Sequence, residues 1–144
     1  MSDFRFLTDR LAVSPQLSPA DVAQAAATGF ALIINNRPDG EAPDQPPGAD
    51  IAAAAQAAGL SYAEIPIGRD GIRPADVAAC AELLREAPGS VLMFCRSGSR
   101  SAHLATLATA RLGGDWEVLI ESGRRHGYAL EPLAPACRAL AAAG

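Results

Sequence analysis

The sequence predicts an α/β fold, a three-layer α/β/α arrangement in which helices cover both faces of a mainly parallel sheet. Apolar runs of strand length alternate with segments of helical period, and the connections between them are short. The run SVLMFC over 90–95 is too apolar to face water on either side, which is typical of a central strand in a parallel sheet. Together, the alternation and this buried run predict an open sheet with helices on both faces.

The first helix has the clearest start and stop signals. Ser18 is a candidate N-cap, Pro19 takes the first helical position, Asp21 lies in the first turn and Gly29 ends the segment. The other elements follow from hydrophobic period and from glycine and proline boundaries. The predicted strands cover 10–16, 30–36, 61–67 and 90–95. The predicted helices cover 18–29, 49–59, 74–87, 101–113 and two segments around 115–122 and 132–143.

The connections decide where a site is expected. The Pro-, Gly- and Asp-rich stretch 37–48 predicts a loop, which we interpret as an excursion within one domain over 1–144. Ligands of open α/β sheets bind beyond the carboxyl ends of the strands. We therefore expect the loops that follow Asn36, Ile67 and Phe94 to meet in space.

Composition excludes several classes of function. With 49% apolar and 19% charged residues, the 144-residue chain predicts a packed core rather than disorder. A net charge of −4 argues against nucleic-acid binding, which needs an excess of Lys and Arg. No stretch reaches the ~20 apolar residues of a membrane span, and the N-terminus lacks the pattern of a signal peptide. Three cysteines do not suggest a disulfide framework, so we expect a cytoplasmic protein.

The stretch CRSGSRS (95–101) carries the clearest chemistry. A strand that feeds a tight loop and then a helix directs backbone N–H groups to one point, where the helix dipole adds positive charge. Gly98 permits the concave backbone, Arg100 offers a fork of donors to a tetrahedral anion, and Ser101 is a candidate helix cap or donor to sulfur. The same dipoles stabilise a thiolate, so Cys95 is predicted to be a nucleophile. The other candidate substrate-binding residues of the loop are Arg96, Ser97 and Ser99.

An inert core cysteine is the alternative for Cys95, because free cysteines are among the most buried residues. Two arginines and a helix start would be costly neighbours for such a residue, which favours the functional interpretation. Cys80, on an apolar helix face, and Cys137, in the last helix, are instead expected to pack in the core.

The chain resembles a known family over almost its whole length. The matching stretches are LAVSPQLSPADV, IINNRPDGE, AAGLSYAEIPI, FCRSGSRSA and GYALEPL. They are similar to the small bacterial beta-lactamase hydrolase-like (DUF442) proteins, which have a tyrosine-phosphatase-like fold and are often assigned sulfur transfer. The resemblance implies a role for Arg37 in shaping the site or binding substrate. It also implies a separately encoded persulfide dioxygenase as a partner.

Loop length separates two chemistries for Cys95. Protein phosphatases of the resembled fold carry Cys-x5-Arg, usually after a His, whereas this chain has Cys95-x4-Arg100 after Phe94. The shorter loop resembles that of rhodanese-type sulfurtransferases. We therefore expect Cys95 to take sulfane sulfur from thiosulfate or a low-molecular-weight persulfide and to pass it to an acceptor thiol.

Two other interpretations remain open. A phosphatase would use Cys95 as nucleophile and need a general acid for the leaving oxygen, for which Asp70 is the candidate. A thiol sensor would pair oxidised Cys95 with Cys80 or Cys137. None of these schemes calls for a cofactor or a metal, since neither a Gly-rich nucleotide motif nor a cluster of ligand-type residues occurs in the sequence.

Overall fold

Five strands form one mixed sheet in the computed structural model, which describes residues 2–143. They are β1 (Arg5–Thr8), β2 (Leu11–Ser14), β3 (Phe30–Asn35), β4 (Ser61–Glu64) and β5 (Ser90–Phe94). Their order across the sheet is β1-β2-β5-β3-β4, with β1 antiparallel to β2 and all other neighbours parallel. The apolar strand β5 is therefore central, as its sequence predicts.

Helices connect the parallel strands and complete the chain. They are α1 (Pro19–Thr28), α2 (Gly48–Ala57), α3 (Pro74–Glu86), α4 (Ser99–Arg111), α5 (Trp116–Arg125) and α6 (Ala134–Ala143), with a 3₁₀ turn at Glu131–Leu133 before the last. The predicted cap of α1 is confirmed, because Ser18 and Asp21 form a reciprocal capping box and Gly29 closes the helix at φ 104°. Within residues 2–143, no helix is both long and apolar enough to cross a membrane.

Two hydrophobic layers enclose the sheet. On one face, residues of α1 and α2 such as Val22 and Ile51 pack against Ile33 and Phe94 of the strands. On the other face, side chains from α3 to α6 join strand residues such as Met93 in a second cluster. Both faces of the central strand are thus buried, and the predicted three-layer α/β/α fold is confirmed.

Three details differ from the sequence prediction. Strand β1 was not predicted, because it is a four-residue edge strand whose Phe6 remains partly exposed. Strand β4 ends at Glu64 rather than at 67, since Pro66 has no N–H for the ladder. The N–H groups of Ile65 and Ile67 nevertheless donate to the carbonyl oxygens of residues 35 and 36, both at 2.9 Å, so the segment stays beside β3. Helix α4 begins at Ser99, two residues earlier than predicted.

Candidate active site

Cys95 lies directly after the central strand, between the ends of two parallel neighbours. Its N–H group donates to the carbonyl oxygen of Ser14 in β2 (3.4 Å), while the N–H of Asn36 donates to the carbonyl oxygen of Phe94 (2.8 Å). The N–H of Gln16 donates to the carbonyl oxygen of Arg96 at 3.3 Å. These bonds fix the start of the cysteine loop from both sides, and the cysteine itself is fully buried.

The loop directs one backbone donor at the sulfur. The Gly98 N–H group donates to Cys95 Sγ at 3.1 Å, and Gly98 has φ 91°, in the left-handed region that favours glycine. Gly98 is also the N-cap of α4, so the helix begins at once and its positive end lies beside the cysteine. This arrangement stabilises negative charge on the sulfur or on an anion bound next to it.

Arg100 joins the three loops that were expected to meet. Its Nη1 atom donates to the carbonyl oxygen of Ile67 (2.7 Å) and to Glu41 Oε2 (2.7 Å), and its Nη2 atom donates to Glu41 Oε1 (2.9 Å). The bond to Glu41 raises the pKa of the Arg100 guanidinium, to which the nearby Cys95 also contributes. The predicted meeting of the loops after β3, after Ile67 and after β5 is therefore confirmed.

Glu41 connects both arginines of the site. Besides the two bonds from Arg100, Glu41 Oε1 accepts a bond from Arg37 Nε at 3.1 Å. Arg37 is almost fully buried and donates from Nη1 to Gln16 Oε1 at 3.0 Å. Hydrogen bonds from Arg100 and then Arg37 hold the pKa of the Glu41 carboxyl below its usual range. The carboxylate is therefore charged at neutral pH and forms ion pairs with both guanidinium groups.

Ser101 takes neither of its two predicted roles, as helix cap or as hydrogen-bond donor to the Cys95 sulfur. Its Oγ donates to Asn36 Oδ1 at 2.8 Å, and Asn36 Nδ2 donates to the carbonyl oxygen of Ile65 at 2.9 Å. Gly98 takes the N-cap position because its left-handed backbone already turns the chain into the helix. Since Ser101 and Asn36 are both buried, this pair ties α4 to the end of β3.

The remaining residues of the predicted loop lie at its outer rim. Arg96 and Ser97 are exposed, and Ser99 is half-buried with its N–H donating to Ser97 Oγ at 3.4 Å. These three predicted substrate-binding residues of the loop are thus open to solvent, fully or in part.

Asp70 lies on the loop after Ile67, apart from the cysteine loop. It is exposed and borders a surface pocket of about 180 Å³ together with Pro38, Pro66 and Arg69. Between residues 2 and 143, no hydrogen bond or ion pair joins Asp70 to residues 95–101. The predicted acid therefore follows a strand next to β3 in the sheet, and within the described residues it is not hydrogen-bonded to the cysteine loop.

Sequence reasoning missed four side chains that support the site. Gln16 and Glu41 hold the arginines, as described above. Tyr128 donates from its hydroxyl to the carbonyl oxygen of Ser97 at 2.9 Å and accepts a bond from Arg5 Nη1 at 2.6 Å. Glu41 and Tyr128 fall within the stretches NNRPDGE and GYALEPL, but no local spacing connects either residue to position 95.

Curated relatives resemble most of this chain. The beta-lactamase hydrolase-like protein of Agrobacterium fabrum is 38% identical over 125 residues, which are 86% of this chain and 29% of that protein. The corresponding protein of Xylella fastidiosa is 37% identical over the same shares. This chain therefore spans less than a third of the length of the curated relatives it matches.

Solved structures show the same fold and complete the assignment. A candidate phosphatase from Neisseria meningitidis superposes with a TM-score of 0.77 at 32% identity, covering 94% of this chain and 96% of its own. The structure of Tk-PTP in its active form superposes with a TM-score of 0.70 at 20% identity, covering 96% and 95%. The sequence model of the family described as "Beta-lactamase hydrolase-like protein, phosphatase-like domain" matches residues 3–112. The cysteine loop, at the carboxyl end of the central strand, lies within this match, and the chain belongs to that family.

Proposed function

We propose that the chain is a cysteine-dependent phosphohydrolase with Cys95 as its nucleophile. The observation that carries the proposal is the Gly98 N–H group directed at Cys95 Sγ beside Arg100, at the start of α4. Membership of a phosphatase-like family and the likeness to the Neisseria meningitidis protein support phosphate over sulfur as the substrate group. The fold of Tk-PTP supports only the architecture.

The proposed reaction has two steps. The Cys95 thiolate attacks the phosphorus of a phosphate monoester, the P–O ester bond breaks, and the leaving oxygen takes a proton from Asp70. Water then attacks the phosphocysteine and gives a proton to the Asp70 carboxylate, which restores the acid. The S–P bond breaks, and inorganic phosphate leaves with the Cys95 thiolate restored. Arg100 and the free N–H groups at the start of α4 stabilise the charge on the equatorial oxygens.

Sulfur transfer is the second candidate function, because two observations favour it. The spacing Cys95-x4-Arg100 is one residue shorter than the phosphatase pattern, and within residues 2–143 no hydrogen bond or ion pair joins Asp70 to the cysteine loop. In this scheme the Cys95 thiolate attacks the outer sulfur of thiosulfate, the S–S bond breaks and sulfite leaves with its electron pair. An acceptor thiolate then attacks the outer sulfur of the Cys95 persulfide, which restores the Cys95 thiolate.

One pair of measurements separates the two candidates. The protein is assayed for para-nitrophenyl phosphate hydrolysis, and in parallel its intact mass is taken after incubation with thiosulfate or glutathione persulfide. We expect phosphate turnover that the Cys95→Ser variant lacks. A stable gain of one sulfur atom at Cys95 without phosphate turnover would replace the phosphatase proposal by sulfur transfer.

The Asp70→Asn variant tests the proposed acid separately. Loss of a general acid costs roughly 100-fold or more in rate when the leaving group is a poor one. We expect a large loss for alkyl phosphates and a small loss for para-nitrophenyl phosphate, because nitrophenolate leaves without a proton. Equal losses for both substrates would remove Asp70 from the mechanism, and Asp115→Asn, at the start of α5, serves as the matched control.

A further inference from the structure

A single peptide group lies between Tyr128 and Cys95. Its carbonyl oxygen, on Ser97, accepts the bond from the Tyr128 hydroxyl at 2.9 Å. Its N–H, on Gly98, donates to Cys95 Sγ at 3.1 Å. In a trans peptide the C=O and N–H groups point in opposite directions. A donor that holds the Ser97 carbonyl on one side therefore holds the Gly98 N–H toward the sulfur on the other.

We propose that Tyr128 is a positioning residue for Cys95, acting through the Ser97–Gly98 peptide group. The hydroxyl of Tyr128 keeps the peptide from rotating, and it polarises the N–H that donates to the sulfur, since hydrogen bonds in a chain strengthen one another. The inference rests on Cys95 being the nucleophile of the proposed function, and it holds for either transferred group.

Arg5 completes the chain of hydrogen bonds. Its Nη1 atom donates to the Tyr128 hydroxyl at 2.6 Å, and its guanidinium carbon lies 5.5 Å from the centre of the Tyr128 ring. With a cation donating to its oxygen, the hydroxyl directs its own proton to Ser97. Asp3 in turn accepts two bonds from Arg5, at 3.1 and 2.7 Å, and holds the guanidinium in place.

The close approach of the tyrosine explains why position 98 is glycine. A Cβ atom at Gly98 would lie 2.2 Å from the Tyr128 hydroxyl oxygen and 3.1 Å from Cζ. The tyrosine thus contacts the loop at the residue that supplies the N–H group. Tyr128 lies outside the matched residues 3–112, so this support comes from the part of the chain that follows α5.

The test measures the Cys95 thiolate directly. The pH dependence of thiolate ultraviolet absorbance is recorded for the wild type and for Tyr128→Phe, and the signal of the same protein carrying Cys95→Ser is subtracted. Tyr128→Phe keeps the ring and removes only the donor. We expect the midpoint of its titration to move to higher pH, with roughly three- to tenfold less thiolate at a given pH, the effect of one hydrogen bond. Arg100, whose guanidinium interacts with Cys95, is unchanged in both proteins.

Two further variants keep the test decisive. Tyr62→Phe removes the hydroxyl of the only other tyrosine, which bonds Asn35 and Glu64 instead of the loop, and its midpoint should equal the wild-type value. Arg5→Met removes the donor to Tyr128 and should move the midpoint in the same direction by less. An unshifted midpoint in Tyr128→Phe would overturn the proposal, and Arg5→Met decides in the same way if Tyr128→Phe does not fold.

The assay needs no substrate, so its outcome is independent of which group Cys95 transfers. A shifted midpoint with no phosphate turnover would preserve the role of Tyr128 and reject the phosphatase. An unshifted midpoint with full phosphate turnover would reject the role of Tyr128 and preserve the phosphatase. In an active enzyme we also expect Tyr128→Phe to lower kcat more than it raises KM, since the hydroxyl acts on the nucleophile rather than on the bound anion.

Discussion

Glu41 is the residue at which the loops of the site are held together. Its carboxylate accepts hydrogen bonds from Arg37 and Arg100, and only about a quarter of its side chain is exposed, at 27%. The Arg37 side chain is 5% exposed, so removal of the carboxylate leaves a nearly buried guanidinium with less compensation. We expect Glu41→Gln to lower the free energy of unfolding by about 1–2 kcal/mol at neutral pH.

The hydrogen bonds from Arg37 and Arg100 also make the contribution of Glu41 to stability depend on pH. The two arginines lower the pKa of Glu41 below its ordinary value of 4.5. A carboxyl group whose pKa is lower in the folded state stabilises the fold above its unfolded pKa and stops doing so as the pH falls through its folded pKa. The difference in unfolding free energy between wild type and Glu41→Gln should therefore be full above pH 4.5 and shrink below it. Urea unfolding across this range measures the difference.

A control variant compares the partly exposed Glu41 carboxylate with an ion pair on the open surface. Glu82→Gln removes an ion pair with Arg85 in which both side chains are more than half exposed, and it should change stability little. A stability loss in Glu41→Gln that matched the control, or that did not shrink in acid, would contradict the proposed role of Glu41.

At the scale of elements, the start of α4 depends on Gly98. The residue has φ 91°, and a side chain there would meet Tyr128 at 2.2 Å. Gly29, at the end of α1, has a similar φ of 104° but open space around it. Gly98→Ala should therefore lower the free energy of unfolding by about 2–4 kcal/mol, from backbone strain and overpacking together. Gly29→Ala, which adds strain alone, should cost about 1 kcal/mol.

Urea unfolding of the two alanine variants separates strain from contact. Equal losses of unfolding free energy in both variants would show that Tyr128 moves aside for a methyl group. Tyr128 would then not hold the cysteine loop rigidly. A much larger loss at Gly98 would agree with the close approach of the tyrosine.

Elements with strong local signals were predicted from sequence, and those that depend on distant partners were not. The N-cap of α1 at Ser18 and the apolar run of β5 are signalled by their own residues, and both are confirmed. The predicted start of α4 is wrong. Ser101 resembles a cap residue, but its hydroxyl donates to Asn36, which is 65 residues away in the sequence. Strand β1 was missed for the same reason. Its four residues give only a weak strand signal, and the strand forms because it pairs with β2.

In the candidate site, too, features with local signals were predictable and contacts between distant residues were not. The sequence places Cys95 and Arg100 in one loop, and parallel strands bring the loops after β3 and β4 beside them, so this meeting was predictable. The bond from Tyr128 to Ser97 joins residues 31 positions apart and that from Arg5 to Tyr128 joins residues 123 apart. Bonds over such distances leave no periodic or local signal in one sequence.

At the scale of the whole molecule, the three cysteines occupy different environments. Cys95 ends the central strand at the site, whereas Cys80 and Cys137 lie among the helices that cover one face of the sheet. Burial raises the pKa of both thiols, that of Cys80 to about 12. The Cys80 thiol therefore stays protonated at neutral pH, which makes it a poor partner for an oxidised Cys95.

Cys80 should consequently report the unfolding of the whole molecule. In a Cys95→Ser background, we expect iodoacetamide to leave Cys80 unmodified in native buffer and to modify it in proportion to the unfolded fraction as urea is added. The reason is that a fully buried thiol in the layer between α3, α4 and the sheet becomes accessible only when that layer opens. Peptide mass analysis after quenching measures the modification. Rapid labelling of Cys80 without urea would show that the helical layer opens locally, and would restore Cys80 as a candidate partner in a thiol sensor.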